Sequence, residues 1–144
     1  EEESMAGMER AVDDLNDWLA TTMEAEGVTA AQTVLFGFSQ GTMMALHVGP
    51  RRADAFAGIV GFSGRMLKPE DLSEEVVSRP PVLLVHGDSD EVVPIQSLPE
   101  AAEAMEAAGF ERVYAHVMKG TGHGIAPDGL QVALAFLRDV FGIE

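Results

Sequence analysis

Gly37-Phe38-Ser39-Gln40-Gly41 sets a serine between two glycines, where an apolar run gives way to helical spacing. A serine hydroxyl is a weak nucleophile, so the chain must expose it, orient it and take its proton as it attacks. The pattern G-x-S-x-G meets the first two needs through the backbone. A sharp strand-to-helix turn presents the serine, and glycines at the flanks remove side chains that would clash there. Gly37 and Gly41 are both expected to serve that purpose. The pattern is short enough to arise by chance, and its context gives it weight: Thr33 to Phe38 is continuously apolar and a helix begins at Gln40. The Gln40 N–H then stands at a helix N-terminus, aimed at a developing oxyanion.

Four histidines could act as the general base, and position separates them. His47 lies eight residues into the helix, about 12 Å along its axis from Ser39, too far for a hydrogen bond. His116 falls inside a strand and is expected to face a packed layer in a structural role. His86 ends a strand and is expected to brace the loop that follows. His123 sits in the glycine-rich loop Lys119-Gly120-Thr121-Gly122-His123-Gly124, where the chain can turn back over the end of a sheet, so His123 is the expected base. A third group must hold the imidazole in the right tautomer and stabilise its cation. Asp88 and Asp90 both stand just past a strand's C-terminal end, where catalytic groups gather in open parallel sheets. Placement alone does not separate them.

The elements that must position these groups can be read from apolar spacing. Met5, Met8, Val12, Leu15, Leu19 and Met23 mark one face of a helix that Gly27 stops. Thr33–Phe38, Ala57–Phe62 and Pro81–Val85 read as strands buried on both faces. Arg112–Met118 is a fourth strand. A second helix runs from about Gln40 to Val48 and ends at Gly49-Pro50. Leu98, Ala101, Ala102, Met105 and Ala108 form a third helix, closed by Gly109. Leu130, Ala133, Leu134, Leu137, Val140 and Phe141 lie on one stripe of the last. Residues 65–80 hold at most one helical turn. Strands alternating with helices require crossover connections and a parallel sheet covered on both faces, so the fold class is α/β.

Composition narrows the function classes. The 144 residues suit one domain, and a hydrophobic fraction of 47% excludes a disordered chain. With no cysteine there is neither a disulfide nor a thiol nucleophile. Nine basic against 24 acidic residues give a formal charge of −15, which repels phosphate backbones and anionic lipid headgroups. No nucleic-acid partner is expected. No apolar run approaches the roughly 18 residues of a membrane span. No basic-then-apolar leader opens the sequence, and the expected location is cytoplasmic.

Three blocks together resemble the phospholipase/carboxylesterase family of α/β-hydrolases, which includes the acyl-protein thioesterases. They are Phe36-Gly37-Phe38-Ser39-Gln40-Gly41, His86-Gly87-Asp88-Ser89-Asp90-Glu91-Val92-Val93-Pro94 and Gly122-His123. Ser63-Gly64 matches a further small signature after the next strand. The chain order Ser, Asp, His is that of α/β-hydrolases. The resemblance implies Ser39 as nucleophile, Asp90 rather than Asp88 as the acid and His123 as the base. It further implies hydrolysis of carboxylic esters or acyl thioesters through an acyl-serine, with no cofactor or metal. The substrate would be a small molecule or an acylated protein, and the protein a monomer or homodimer.

The resemblance also sets up a discrepancy. Family members carry early strands and an H-G-x-G loop ahead of the first helix read here, and that loop supplies the other oxyanion N–H. Residues 1–144 hold no such loop, so they are expected to be one α/β-hydrolase domain lacking its N-terminal strands, unstable or weakly active alone. The competing readings are another serine α/β-hydrolase, such as a peptidase or a relative of dienelactone hydrolases, and a non-catalytic module keeping the fold for binding. Met43, Met44, Phe62, Met66 and Leu67 are candidates to line an acyl channel. They are expected to be mostly core, with Met66 and Leu67 the exceptions.

Overall fold

A computed structural model describes the backbone of residues 2–143 and the side chains of 7–143. The Met5 side chain and the acidic tip residue Glu1 lie outside that set. The elements follow in the order α1 (Glu2–Glu26), β1 (Val34–Phe38), α2 (Gln40–Val48), β2 (Gly58–Phe62), α3 (Leu72–Glu75), β3 (Val82–Gly87), α4 (Ser97–Ala107), β4 (Val113–Met118) and α5 (Pro127–Phe141). Gly27 ends α1 at φ +68°, and the Val28 N–H donates to the Met23 carbonyl at 3.0 Å. That left-handed residue costs glycine nothing, which is why the helix stops there. Residues 65–80 fold as a 3-10 turn, Pro69–Asp71, and the single turn α3, which buries Leu72 completely.

The four strands form one parallel sheet in the order β1-β2-β3-β4. Helices α2 and α4 cover one face, with a core built on Leu46, Ile59, Leu84, Leu98 and Met105. Helix α1 packs beside α2 through Leu19, Val48 and Phe56. Helix α5 covers the other face, where Val60, Phe62, Leu83, Val85, Met118 and Phe136 meet. Both central strands are fully buried, as parallel strands covered by helices require.

Two expectations about burial need correction. Strand β1 is an edge strand of this sheet, not one buried on both faces: Phe36 is 51% exposed and Phe38 is 38% exposed. Among the described residues its outer side pairs with no strand, and of its side chains Val34 packs against the core beneath α5. The second concerns α5, which buries Gly129, Ala133 and Phe136, whereas Leu130, Leu134 and Phe141 are exposed. The apolar stripe is wider than the contact face, and packing turns the helix toward Phe136. Glycine at 129 allows this close approach, because a Cβ there would stand 2.6 Å from Met118 Sδ. Trp18 on α1 is also 61% exposed, so apolar surface is open on several elements. No helix among the described residues is long and apolar enough to cross a membrane.

Candidate active site

Ser39 sits between β1 and α2 with φ 56° and ψ −112°, a conformation a side chain adopts only under strain. Three local features hold it there. The Ser39 N–H donates to the Phe62 carbonyl at 2.8 Å, and Thr42 Oγ1 donates to the same oxygen at 2.8 Å. Gly37 lies so close beneath that a Cβ on it would stand 2.5 Å from the carbonyl carbon of Gly41. Gly64 approaches from β2, where a Cβ would lie 2.7 Å from the Ser39 carbonyl oxygen. The strain at Ser39 is therefore over-determined by its surroundings, as the persistence of a strained backbone conformation requires. Gly41 departs from expectation: a Cβ built on it meets nothing within 4 Å. Among the described residues, then, only Gly37 of the flanking pair is sterically required.

His123 reaches Ser39 from 84 residues further along the chain. Its Nε2 lies 3.0 Å from Ser39 Oγ, and its Nδ1 lies 2.8 Å from Asp90 Oδ2. The Phe38 ring packs against the imidazole with centroids 4.9 Å apart. The side chain of Asp90 is fully buried, and that of His123 is 20% exposed. Burial opposes a charge on Asp90. The hydrogen bond from His123 and those from the Val93 and Val92 amides outweigh it, holding the carboxyl below its ordinary value. Both amides donate to Oδ1 at 2.8 Å, which leaves Oδ2 for His123. An ionised Asp90 accepts only, so it fixes the proton of a neutral His123 on Nδ1 and turns the Nε2 lone pair toward the Ser39 hydroxyl.

The remaining histidines take other places. His86 is buried, and its Nε2 donates to the Val93 carbonyl at 2.8 Å, 3.4 Å from Asp90 Oδ2. It thus braces the turn that carries Asp90. His116 faces the α5 side but at the sheet edge, half-buried rather than packed in a layer, with Nε2 2.6 Å from Asp128 Oδ2. That hydrogen bond, the largest influence on Asp128, holds its carboxyl below the ordinary value. His47 lies in α2 away from the site, and burial lowers its pKa most, with Arg51 adding to the effect. Asp88 does not reach His123; its Oδ1 accepts the Gly120 N–H at 2.8 Å. Among the described residues, no group of three or more His, Cys, Asp or Glu side chains converges as metal ligands do.

Gln40 opens α2, so its N–H has no carbonyl of its own helix to bind and is free to meet an anion. Of the residues named for an acyl channel, Phe62 and Met66 are core. Met66 is therefore not one of the exceptions, while Leu67, Met43 and Met44 are half-buried. Met44 lines an apolar cleft with Leu15, Trp18, Met23 and Leu35, between α1 and the open edge of β1. Thr42 is the residue that the sequence pattern did not disclose. The available signal was small residues at 61 and 64, whose Cβ atoms would lie 2.6 Å from Thr42 Cγ2 and 2.5 Å from Thr42 Cβ.

An α/β sheet carrying a serine, a histidine and a buried carboxylate on three loops at its C-terminal ends defines the class to which comparison then assigns the chain. Residues 1–141 match the phospholipase/carboxylesterase model, and the chain belongs to that family. The crystal structure of esterase PE8 superimposes on 94% of this chain with a TM-score of 0.90 at 44% identity, covering 62% of that protein. Acyl-protein thioesterase 1 of Gibberella zeae is 31% identical over 121 residues, which make up 78% of this chain and 49% of the relative. Esterase YpfH of Escherichia coli is 32% identical over 112 residues, 78% of this chain and 47% of the relative. The chain thus spans about half the length of the curated relatives it matches.

Proposed function

We propose that this chain carries the catalytic residues of a serine hydrolase that cleaves carboxylic esters or acyl thioesters through an acyl-serine intermediate. The observation that supports it most is the continuous relay from Ser39 Oγ to His123 Nε2 and from His123 Nδ1 to Asp90 Oδ2. Ser39 Oγ attacks the acyl carbonyl carbon while His123 Nε2 takes its proton. Asp90 stabilises the imidazolium that results. The tetrahedral intermediate collapses, and His123 returns the proton to the departing alcohol or thiol. Water then enters, loses a proton to His123 and releases the acid, restoring Ser39.

The Gln40 N–H supplies one donor to the oxyanion. A complete hole takes a second, and losing one donor typically costs about 10²–10³ in rate. That second donor comes, in this proposal, from residues outside 1–144, in an H-G-x-G loop of the parent protein. Esters and thioesters share the acyl carbonyl that Ser39 attacks, so the choice between them is left to kinetics. The test is hydrolysis of a short p-nitrophenyl ester and of an acyl thioester by the full-length parent, with Ser39→Ala as control. The expected result is turnover of at least one substrate and none with the variant. A folded parent that turns over neither substrate overturns the proposal.

A further inference from the structure

The loop that carries His123 has three glycines in six residues, Gly120, Gly122 and Gly124. Glycine has more conformational freedom to lose on ordering than any other residue. Yet His123 must meet Asp90 and Ser39 at hydrogen-bond distance from both sides. Something outside the loop has to restrict it, and the Asp90 loop does so before His123 is reached. Asp88 Oδ1 accepts the Gly120 N–H at 2.8 Å, and Ser89 Oγ lies 3.2 Å from the same oxygen. The Ser89 N–H donates to the Thr121 carbonyl at 2.9 Å, and the Asp88 N–H donates to the Met118 carbonyl at 3.3 Å. The two loops lie so close that a Cβ on Gly87 would collide with the Thr121 carbonyl oxygen. Gly120 itself takes φ +70°, which turns its N–H toward Asp88 at no cost to glycine.

We infer that Asp88 is a positioning residue, a latch that fastens the His123 loop to the Asp90 loop and so sets the distance from His123 to both of its partners. The two aspartates of one block then divide the work. Asp90 orients the imidazole directly, while Asp88 fixes the backbone three residues before it. A carboxylate suits the latch because an ionised acceptor makes a stronger hydrogen bond to an amide than a neutral one. The side chain of Asp88 is exposed, so its removal leaves no cavity and the fold should survive it. The inference rests on the triad reading for its consequence in rate, though not for its consequence in geometry.

The test compares Asp88→Ala with Asp88→Asn, which keeps an acceptor oxygen at the same place. Four readouts are made on the full-length parent: exchange of the Gly120 amide, the NMR signal of the His123 Nδ1 proton, labelling of Ser39 by a fluorophosphonate, and KM for a short ester. In Asp88→Ala, Gly120 should exchange at least about tenfold faster, since the acceptor of its N–H is gone. The Nδ1 proton signal should shift or broaden away, and labelling should slow by about 10- to 100-fold, as a displacement near 1 Å costs. KM for an ester should stay within about twofold, because a latch acts on the base and not on substrate binding. Asp88→Asn should recover most of each loss. An unchanged His123 signal and labelling rate in Asp88→Ala overturns the inference, as does an Asn variant impaired as badly as Ala. If the wild type does not label while the His123 signal responds as described, the hydrolase proposal fails and the latch stands.

Discussion

A Cβ on Gly37 would lie 2.5 Å from the carbonyl carbon of Gly41, whereas a Cβ on Gly41 would meet nothing within 4 Å. The two glycines of the serine turn are therefore unequal. Gly37 faces backbone, which cannot step aside, so Gly37→Ala should cost about 1–3 kcal/mol of stability through overpacking. Gly41 lies in the first turn of α2, where alanine is the better helix former, and Gly41→Ala should be neutral or stabilising by up to about 1 kcal/mol. Urea denaturation midpoints of the two variants check this, and equal losses would contradict it.

Thr42 shares the Phe62 carbonyl with the Ser39 amide and is 1% exposed. Thr42→Val keeps the shape that Gly61 and Gly64 pack against but deletes one hydrogen bond. A loss of about 1 kcal/mol is expected, since the carbonyl keeps its bond from Ser39. The same denaturation assay reads it, and a loss near zero would show that the Thr42 hydroxyl does not stabilise the turn.

Asp90 gives stability a defined dependence on pH. Its carboxyl titrates below the ordinary carboxylate value in the folded protein, so as pH falls the unfolded chain takes up that proton first. The stabilisation is complete above a pH of about 4, the usual carboxylate pKa, and fades as pH drops through the lower folded value. Asp90→Asn has no carboxylate to take up that proton. The stability gap between wild type and Asp90→Asn should therefore be largest near neutrality and narrow below about pH 4. Denaturation curves at several pH values decide the matter; a gap that widens in acid would mean the carboxyl is raised, not lowered.

The open edge of β1 carries Phe36 and Phe38, and an unpaired apolar edge invites association. The isolated 144-residue chain should accordingly self-associate with rising concentration. Phe36→Lys should reduce that tendency by adding a charge to the edge. Sedimentation at two or three concentrations tests both statements, and a monomer at every concentration would contradict them.

Much of this arrangement is legible in the sequence, and the parts that are not have physical causes. Strands β2 and β3 are buried as their apolar runs imply, and Gly27, Gly49 and Gly109 fall at helix ends. The apolar run at β1 identifies a strand but not its neighbours, and an edge strand has the same composition as a central one when its partner is elsewhere. The stripe on α5 fails for a related reason. Leu130 and Leu134 share the period of the buried residues, and only the bulk of Phe136 and the gap at Gly129 decide which arc turns inward. At the site, Ser39 and His123 follow from type and placement. Asp88 and Asp90 do not separate that way, because both stand at the same strand end. What divides them is the fold of residues 87–93, in which the Val92 and Val93 amides take Asp90 inward and Gly120 takes Asp88 across to the next loop.

The proposed function makes Ser39 a nucleophile activated by His123. It is tested most directly by treating the folded full-length protein with a fluorophosphonate and locating the adduct by mass spectrometry. A single adduct on Ser39 is expected. It should be abolished by Ser39→Ala and slowed by about 10⁴-fold in His123→Ala, in line with the loss of a triad base. A folded protein whose Ser39 stays unmodified, or labels as fast without His123, would contradict it.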